Sequence, residues 1–220
     1  MKLENDIFSN CICYLLWKMV AMNKDLESLL SELKVVHEDL RLIPTEMIVV
    51  SDWVRLKCRY GCSNYGNHLG CPPFTPTPSE TRAVLSAYRN AVLVRFEAKP
   101  DPKLSTKHAG RALSNSVIKM QKTVAELERT AFLAGCYKAF GMNAMPCTLC
   151  DTCVIGEMQK KDHAVFDLDS IKCRNKEIMR PSMEACGIDV FKTLQNAGFK
   201  PRVLKDCKEM VELFGLVLLD

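Results

Sequence analysis

The chain has 220 residues, 48% hydrophobic and 25% charged, which is enough for one core domain with a small subdomain and excludes a disordered or low-complexity protein. Its 30 Lys and Arg residues against 26 Asp and Glu give a net charge of only +4, so the charge offers no case for nucleic acid as a partner. The twelve cysteines are too few for a small disulfide scaffold, in which cysteine exceeds about 8% of residues.

Residues 1–23 are predicted to be an N-terminal extension outside the core. The apolar stretch Ile7–Trp17 is shorter than the ~20 residues that span a bilayer, and it lacks a small-residue cleavage site, so we expect no membrane association and no secretory signal. A cytoplasmic location follows, where clustered cysteines bind metal more often than they pair. Met22 precedes a sequence typical of a helix start, so residues 1–21 are either native or a wrongly assigned start.

Residues 24–146 are predicted to form an α/β or α+β core that includes the first cysteine cluster. Leucines at helical spacing predict a helix over residues 24–34. β-Branched residues then predict two short strands, Met47–Val50 and Val54–Lys57, which lead directly into Cys58. The following residues, 59–78, hold four prolines and three glycines, so we expect an irregular loop there that a bound metal orders.

Helices and strands alternate through the rest of the chain. The patterns predict a helix from Ser79 to Arg89, a buried strand over Ala91–Phe96, a long amphipathic helix over 109–134, an extended segment over Tyr137–Met145, a helix over 182–196 and a last strand over Phe214–Leu219. The predicted fold is a mixed sheet with packed helices, and both cysteine clusters lie on loops at strand ends. Residues 147–186 would be a cluster-binding segment, and residues 187–220 would return to the core.

The second cysteine cluster has the stronger spacing signal. Cys147, Cys150 and Cys153 form a C-x2-C-x2-C run like that of ferredoxin cluster-binding loops, in which a fourth thiolate comes from elsewhere in the chain. Cys173 is the first candidate for the fourth ligand and Cys186 is the reserve. Zinc is the alternative metal, although it more often takes two separated CxxC pairs. Buried free thiols are a third interpretation.

The first cluster offers three cysteines, Cys58, Cys62 and Cys71, and no obvious fourth nearby. The sequence leaves the fourth ligand open among four residues: His68, Cys136, Cys186 and Cys207. A site with only three thiolates would leave one iron free to bind a substrate. The other interpretations are a zinc site or three thiols that simply pack.

Other motifs are weak. The sequence has neither a G-x-G-x-x-G nor a Walker loop, so nothing indicates a nucleotide site. Glu126 and Glu128 are interpreted as part of a solvated helix face. Arg55 and Arg174, close in sequence to the two clusters, either influence a cluster electrostatically or are solvated.

Several segments together resemble one protein family. They are Leu56-Lys-Cys-Arg-Tyr-Gly-Cys62, Cys71-Pro-Pro, the Cys147 run, Cys173 and Arg180-Pro-Ser-Met-Glu-Ala-Cys-Gly-Ile-Asp-Val190. Over roughly residues 45–219 the chain resembles a family of predicted metal-binding proteins of archaea and anaerobic bacteria. The resemblance implies a cysteine-ligated metal, with Cys58, Cys62, Cys71, Cys147, Cys150, Cys153 and Cys173 at the motif positions, and it implies no particular reaction.

The leading functional hypothesis is a cytoplasmic iron–sulfur protein of anaerobic metabolism that carries one or two [4Fe-4S] clusters and exchanges single electrons with a redox partner protein. Two alternatives stay open at the level of sequence. One is a module that delivers metal or sulfur to a client, and the other is an interaction domain stabilised by zinc. The oligomeric state is not predicted.

Overall fold

A computed structural model of the chain describes residues 26–100, 113–159, 171–206 and 209–220. The first half of these residues forms helix α1 (26–36), strand β1 (Leu40–Pro44), a 3-10 turn (Thr45–Met47), helix α2 (Asp52–Gly61), helix α3 (Pro78–Leu85) and strand β2 (Asn90–Ala98). The second half forms helix α4 (Ser114–Leu133), strand β3 (Phe140–Met142), helix α5 (Val154–Gln159), a 3-10 turn (Glu184–Cys186), helix α6 (Val190–Asn196) and strand β4 (Val211–Leu219). The predicted N-terminal extension, residues 1–23, lies outside the described residues.

The four strands form one antiparallel sheet in the order β1-β2-β4-β3. Strands β2 and β4 pair over nine residues, from Asn90 opposite Leu219 to Ala98 opposite Val211. The prediction of a fold that combines helices with a sheet is confirmed. The prediction of a mixed sheet is wrong, because every pair among the described strands is antiparallel. Strand direction depends on pairs far apart in the chain, and local patterns do not encode it.

Both faces of the sheet are covered, which explains why β2 and β4 are almost continuous apolar runs. Helices α1 and α4 cover one face, where the buried strand side chains include Val92, Val94 and Val217. The other face carries Leu93 and Leu216, and it packs against the segment that holds Met183, Ile188 and Leu194. The segments that carry the two cysteine sets are therefore built around a core with two covered faces.

Helix α4 approaches the sheet closely above two glycines. A Cβ atom at Gly215 would lie 2.6 Å from Val124 Cγ2, and one at Gly141 would lie 2.8 Å from Val124 Cγ1. Side chains at these positions would overlap with the helix, so the absence of a Cβ sets the distance between α4 and strands β3 and β4.

The prediction of two short strands, Met47–Val50 and Val54–Lys57, before the first cluster is wrong. Residues Val54–Lys57 lie inside helix α2, and Met47 ends a 3-10 turn, while Val50 makes only an isolated bridge to Ile188. Within α2 only Val54 is buried, so tertiary packing of one side of the helix overrides the β-branched propensity of the segment. Strand β1, which precedes these residues, was not predicted.

Two predicted helices have different limits. Helix α3 begins at Pro78 after the cap residue Thr77, which forms a reciprocal capping box with Glu80, and it ends at Leu85 rather than Arg89. The helix predicted over 182–196 is broken at Gly187, whose φ of 83° is left-handed. Ile188 then pairs with Val50 before α6 begins.

Candidate metal centre

Helix α2 carries the start of the first cysteine set, which is therefore not on a loop at a strand end as predicted. Cys58 lies in the helix and Cys62 follows its last residue. Cys62 is the C-cap residue with an extended backbone, and charge on it contributes to the raised pKa of Cys58, so the two thiols are neighbours. The Cys58 thiol lies 3.9 Å from the carbonyl oxygen of Glu184, to which it donates, so this side of α2 faces the second 3-10 turn.

Cys71 lies in the loop between α2 and α3, and its side chain is buried. This loop has turn hydrogen bonds of its own: Gly66 N–H donates to Pro72 O at 2.8 Å, and Cys71 N–H donates to His68 O at 2.9 Å. Backbone hydrogen bonds therefore contribute to the order of this loop, for which the sequence predicted a bound metal.

Arg55 fastens this loop to the rest of the protein. Its Nη1 atom donates to Pro76 O at 2.8 Å and to Ala185 O at 2.6 Å, and Thr75 Oγ1 donates to Ala185 O at 2.8 Å. The sequence left open an electrostatic role or a solvated one for Arg55. The structure gives it a positioning role, because one guanidinium joins α2, the end of the loop and the second 3-10 turn.

The second cysteine set converges on a single cavity. Cys147, Cys150 and Cys153 lie on the loop between β3 and α5, and Cys173 returns to them from later in the chain. All four line one small cavity, whose remaining wall includes residues 68–70 of the first cysteine loop. The fold therefore brings together four thiols that span 27 positions of the sequence and closes them with the loop that carries Cys71.

Two of the sulfur atoms in this cavity accept hydrogen bonds from nitrogen donors. Asn175 Nδ2 donates to Cys150 Sγ at 3.0 Å, and the Leu69 N–H donates to Cys153 Sγ at 3.5 Å. Arg174 is paired with Glu157 and donates to Thr152 O at 3.2 Å, which holds the returning segment against the loop. The hydrogen bonds from Asn175 and Leu69 stabilise negative charge on the sulfur atoms that accept them.

An ion pair anchors the end of the returning segment to helix α4. Arg180 Nε and Nη2 donate to the two carboxylate oxygens of Glu128, each at 2.6 Å, and the Gly141 N–H donates to Glu128 Oε2 at 2.7 Å. The interpretation of Glu128 as part of a solvated face is wrong, because its side chain is only 15% exposed. Glu126, on the same helix, is 52% exposed as expected.

The electrostatics of the thiols show that the two cysteine sets are neighbours. Burial, and then charge on Cys62, Cys58, Cys147 and Cys153, raise the pKa of Cys71 to about 12. Cys71 thus lies within electrostatic reach of cysteines from both sets.

Cys147 has a similar environment. Its pKa is raised to about 11, chiefly by burial; a hydrogen bond from the Leu149 backbone opposes the increase, and nearby Cys173, Cys153 and Cys150 contribute to it. Four thiolates so close together repel each other, and bound cations remove that repulsion. Four thiols are the donor chemistry of zinc and iron–sulfur centres.

The other candidate ligands lie elsewhere. His68 lines the Cys147 cavity rather than the first set, and its Nε2 atom is 3.0 Å from Asn64 Oδ1. Cys186 is buried in the core with Met183, and Cys136 packs against the core on the opposite face of the sheet. Cys207 lies outside the described residues.

Sequence reasoning missed Glu184 as a site residue. Its carbonyl oxygen accepts from Cys58, and its Oε2 atom is buried with no hydrogen-bond partner in the described part of the chain. Burial raises the pKa of this carboxyl group, opposed by hydrogen bonds from its own backbone and from Ser182. Glu184 has one signal in the sequence: it lies in the segment Arg180–Val190, two positions before Cys186. The cysteine pattern indicated Cys186 as a candidate ligand and did not indicate Glu184.

A larger cavity of about 620 Å³ opens beside the first set, and both Cys58 and Cys62 lie on its wall. Over residues 26–100, 113–159, 171–206 and 209–220, no three His, Cys, Asp or Glu side chains are arranged to hold one metal ion. Among the same residues, no helix has the length and apolar character needed to cross a membrane.

Comparison with known proteins gives one match. Residues 41–219 match a family described as predicted metal-binding protein (DUF2284). No curated protein and no solved structure gives a significant match. The matched range covers β1 to β4 and contains all seven cysteines of the two sets. The chain belongs to the family of predicted metal-binding proteins DUF2284.

Proposed function

We propose that this protein is an iron–sulfur protein that holds a [4Fe-4S] cluster on Cys147, Cys150, Cys153 and Cys173 and transfers single electrons. The observation that carries this proposal is the convergence of the four thiols on one cavity. The C-x2-C-x2-C spacing, together with a distant fourth cysteine, is the arrangement used by ferredoxin-type sites. When bound, the cluster would supply a reversible one-electron couple.

The protein's own groups would tune this site through hydrogen bonds to sulfur. Asn175 Nδ2 and the Leu69 N–H each donate to one of the four sulfurs. Donors to sulfur favour the more negative, reduced state of a cluster and so raise its potential. Because Leu69 belongs to the first cysteine loop, any movement of that loop would change the potential of the second site.

Cys58, Cys62 and Cys71 would form a second metal site, with three thiolates and an open position. Support comes from the i, i+4 spacing of Cys58 and Cys62 and from the electrostatic proximity of Cys71 to both of them. Short separation favours electron exchange between the centres. A redox partner protein would approach the exposed side of α2, where Trp53, Leu56 and Tyr60 are 45%, 57% and 77% exposed next to Cys58.

The test is the metal content of protein purified without oxygen. We expect about four to eight irons per chain with matching sulfide, a brown chromophore bleached by dithionite, and an EPR signal in the reduced protein. Cys150→Ser should remove about four irons and the EPR signal of that cluster. Cys136→Ser is the matched control, since Cys136 packs against the core away from both sets, and it should keep the full iron content.

Stoichiometric zinc without iron would refute the proposal. Full iron content in Cys150→Ser would refute the ligand assignment, because a cluster that depends on four thiolates should lose its iron when one of them is removed.

A further inference from the structure

Helix α4 carries a buried polar side chain on its core-facing side. Gln121 is 1% exposed, and its neighbours on this side of the helix, Val117, Met120 and Val124, are apolar residues of the core. A buried amide group needs hydrogen-bond partners, because an unpaired polar group is costly in an apolar core. The presence of a glutamine at this position therefore asks which groups it serves.

The partners of Gln121 are the two peptide groups that flank Cys147. Its Nε2 atom donates to Pro146 O at 3.3 Å, and its Oε1 atom accepts from the Thr148 N–H at 3.5 Å. Both contacts are longer than the usual N–H···O distance of about 2.7–3.2 Å, so each is weak by itself. Together they hold the backbone immediately before and immediately after one cysteine.

The chain reaches this pair of contacts through a strained residue. Met145 has a φ of 65°, in the left-handed region that bulky side chains rarely adopt, and a proline follows it. Such a conformation persists where the surrounding structure holds it. On one side, Asn143 makes two backbone hydrogen bonds of 2.8 Å to the segment 181–183. On the other side, Gln121 holds the peptide groups around Cys147.

A second buried polar residue of α4 holds the other end of the same segment. Glu128 lies seven positions after Gln121, about two turns along the helix, and it pairs with Arg180. Arg180 follows Cys173 in the returning segment. Helix α4 therefore contacts the segment at both ends, beside Cys147 through Gln121 and after Cys173 through Glu128.

We propose that Gln121 is a positioning residue for Cys147: its amide group fixes the backbone on both sides of this cysteine and so directs its thiol into the cavity shared with the other three cysteines of the second set. In its effect on a cluster the inference rests on the proposed function, because a four-thiolate site needs all its sulfur atoms in place together. Residues that orient metal ligands from outside typically change metal affinity by about 10- to 100-fold when they are removed.

The first test is the rate at which a chelator removes metal from the anaerobically purified full chain. Gln121→Met keeps the length and helix propensity of the side chain and removes both hydrogen bonds, so we expect metal release about tenfold faster. Met120→Leu is the matched control, because Met120 is the adjacent residue, is fully buried and has no such contacts with the peptide groups around Cys147 among those described. This variant should release metal like the wild type.

The second test reads the cysteines one by one after the metal has been removed. Each thiol of the full chain is labelled with iodoacetamide, and the rates are followed by mass spectrometry of the peptides. Gln121→Met should speed labelling of Cys147 several-fold and leave Cys150 and Cys153 unchanged, because the two lost contacts are to the peptide groups around Cys147. An equal increase at all three thiols would show a generally loosened fold and would overturn the positioning role.

The outcomes separate this inference from the proposed function. If the purified protein holds zinc and no iron, the proposed function fails, and the release rate of zinc still tests Gln121. If it holds no metal, the labelling of Cys147 decides. If iron is present, Gln121→Met should also shift the EPR signal of the reduced cluster, and Met120→Leu should not. Wild-type rates of metal release and of Cys147 labelling in Gln121→Met would overturn the inference.

Discussion

The ion pair between Glu128 and Arg180 gives a quantitative prediction about how the segment that follows Cys173 is held to the core. Both carboxylate oxygens of Glu128 accept from Arg180, and one also accepts from the backbone of Gly141. The change Glu128→Gln removes the charge and keeps the size of the side chain, so it isolates the ionic part of the contact.

The structure sets the expected magnitude. The two side chains are 17% and 15% exposed, so Arg180 would lose its partner in a largely water-excluded place. Removing one partner of a buried ion pair lowers the free energy of unfolding by roughly 3–5 kcal/mol. Because Glu128 and Arg180 are still partly exposed, we expect a value near the lower end of that range, about 3 kcal/mol. With a urea m-value of about 3 kcal/mol per M, the unfolding midpoint should fall by about 1 M.

The assay is urea unfolding followed by circular dichroism under anaerobic conditions. Glu126→Gln is the matched control, because Glu126 lies on the same helix and makes only an exposed pair with Arg129 at 3.5 Å. That change should cost no more than about 0.5 kcal/mol. Equal midpoints for the two variants would refute the reasoning that the Glu128 pair anchors the segment.

Three further predictions follow from the packing and the caps. Gly215→Ala should destabilise the protein by about 1–3 kcal/mol, because its Cβ would overlap Val124, and thermal unfolding would show no change if the helix could move away freely. Thr77→Ala should cost about 1 kcal/mol while Ser79→Ala costs almost nothing, and the reverse order in chemical unfolding would contradict the capping box. Removal of bound metal by a chelator should speed hydrogen exchange in the loop between α2 and α3 and leave β2 and β4 protected, whereas global loss of protection would show that the core needs the metal.

The sequence predicted well those elements that have long and regular apolar patterns. The strand over Ala91–Phe96, the long helix that includes Ser114–Leu133 and the final strand all appear in the described residues. These segments are buried on one whole face or on both faces, so many consecutive residues show the apolar pattern of a helix or of a buried strand.

Short elements were harder to predict because a few tertiary contacts decide them. Residues Val54–Lys57 look like a strand by composition, yet they belong to a helix whose single buried residue is Val54. The break at Gly187 depends on pairing between Ile188 and Val50, which are more than a hundred positions apart. Local propensity is weak in such places and is easily overridden.

The candidate site shows the same division. From the sequence alone we predicted which seven cysteines form the two sets, partly because Cys147, Cys150 and Cys153 have a local two-residue spacing, and family membership agrees with a metal-binding role. The sequence also indicated that the Cys58 set lacked a fourth thiolate nearby.

Only the tertiary structure decided how the two sets are related. It set the loop between α2 and α3 against the Cys147 cavity, aimed the Leu69 N–H at Cys153, and opened a cavity beside Cys58 and Cys62. These relations join residues that are tens of positions or more apart, and they exist only once a two-sided core brings their segments together. Burial, charge and cavity shape arise from that assembly, so no local pattern in the chain encodes them.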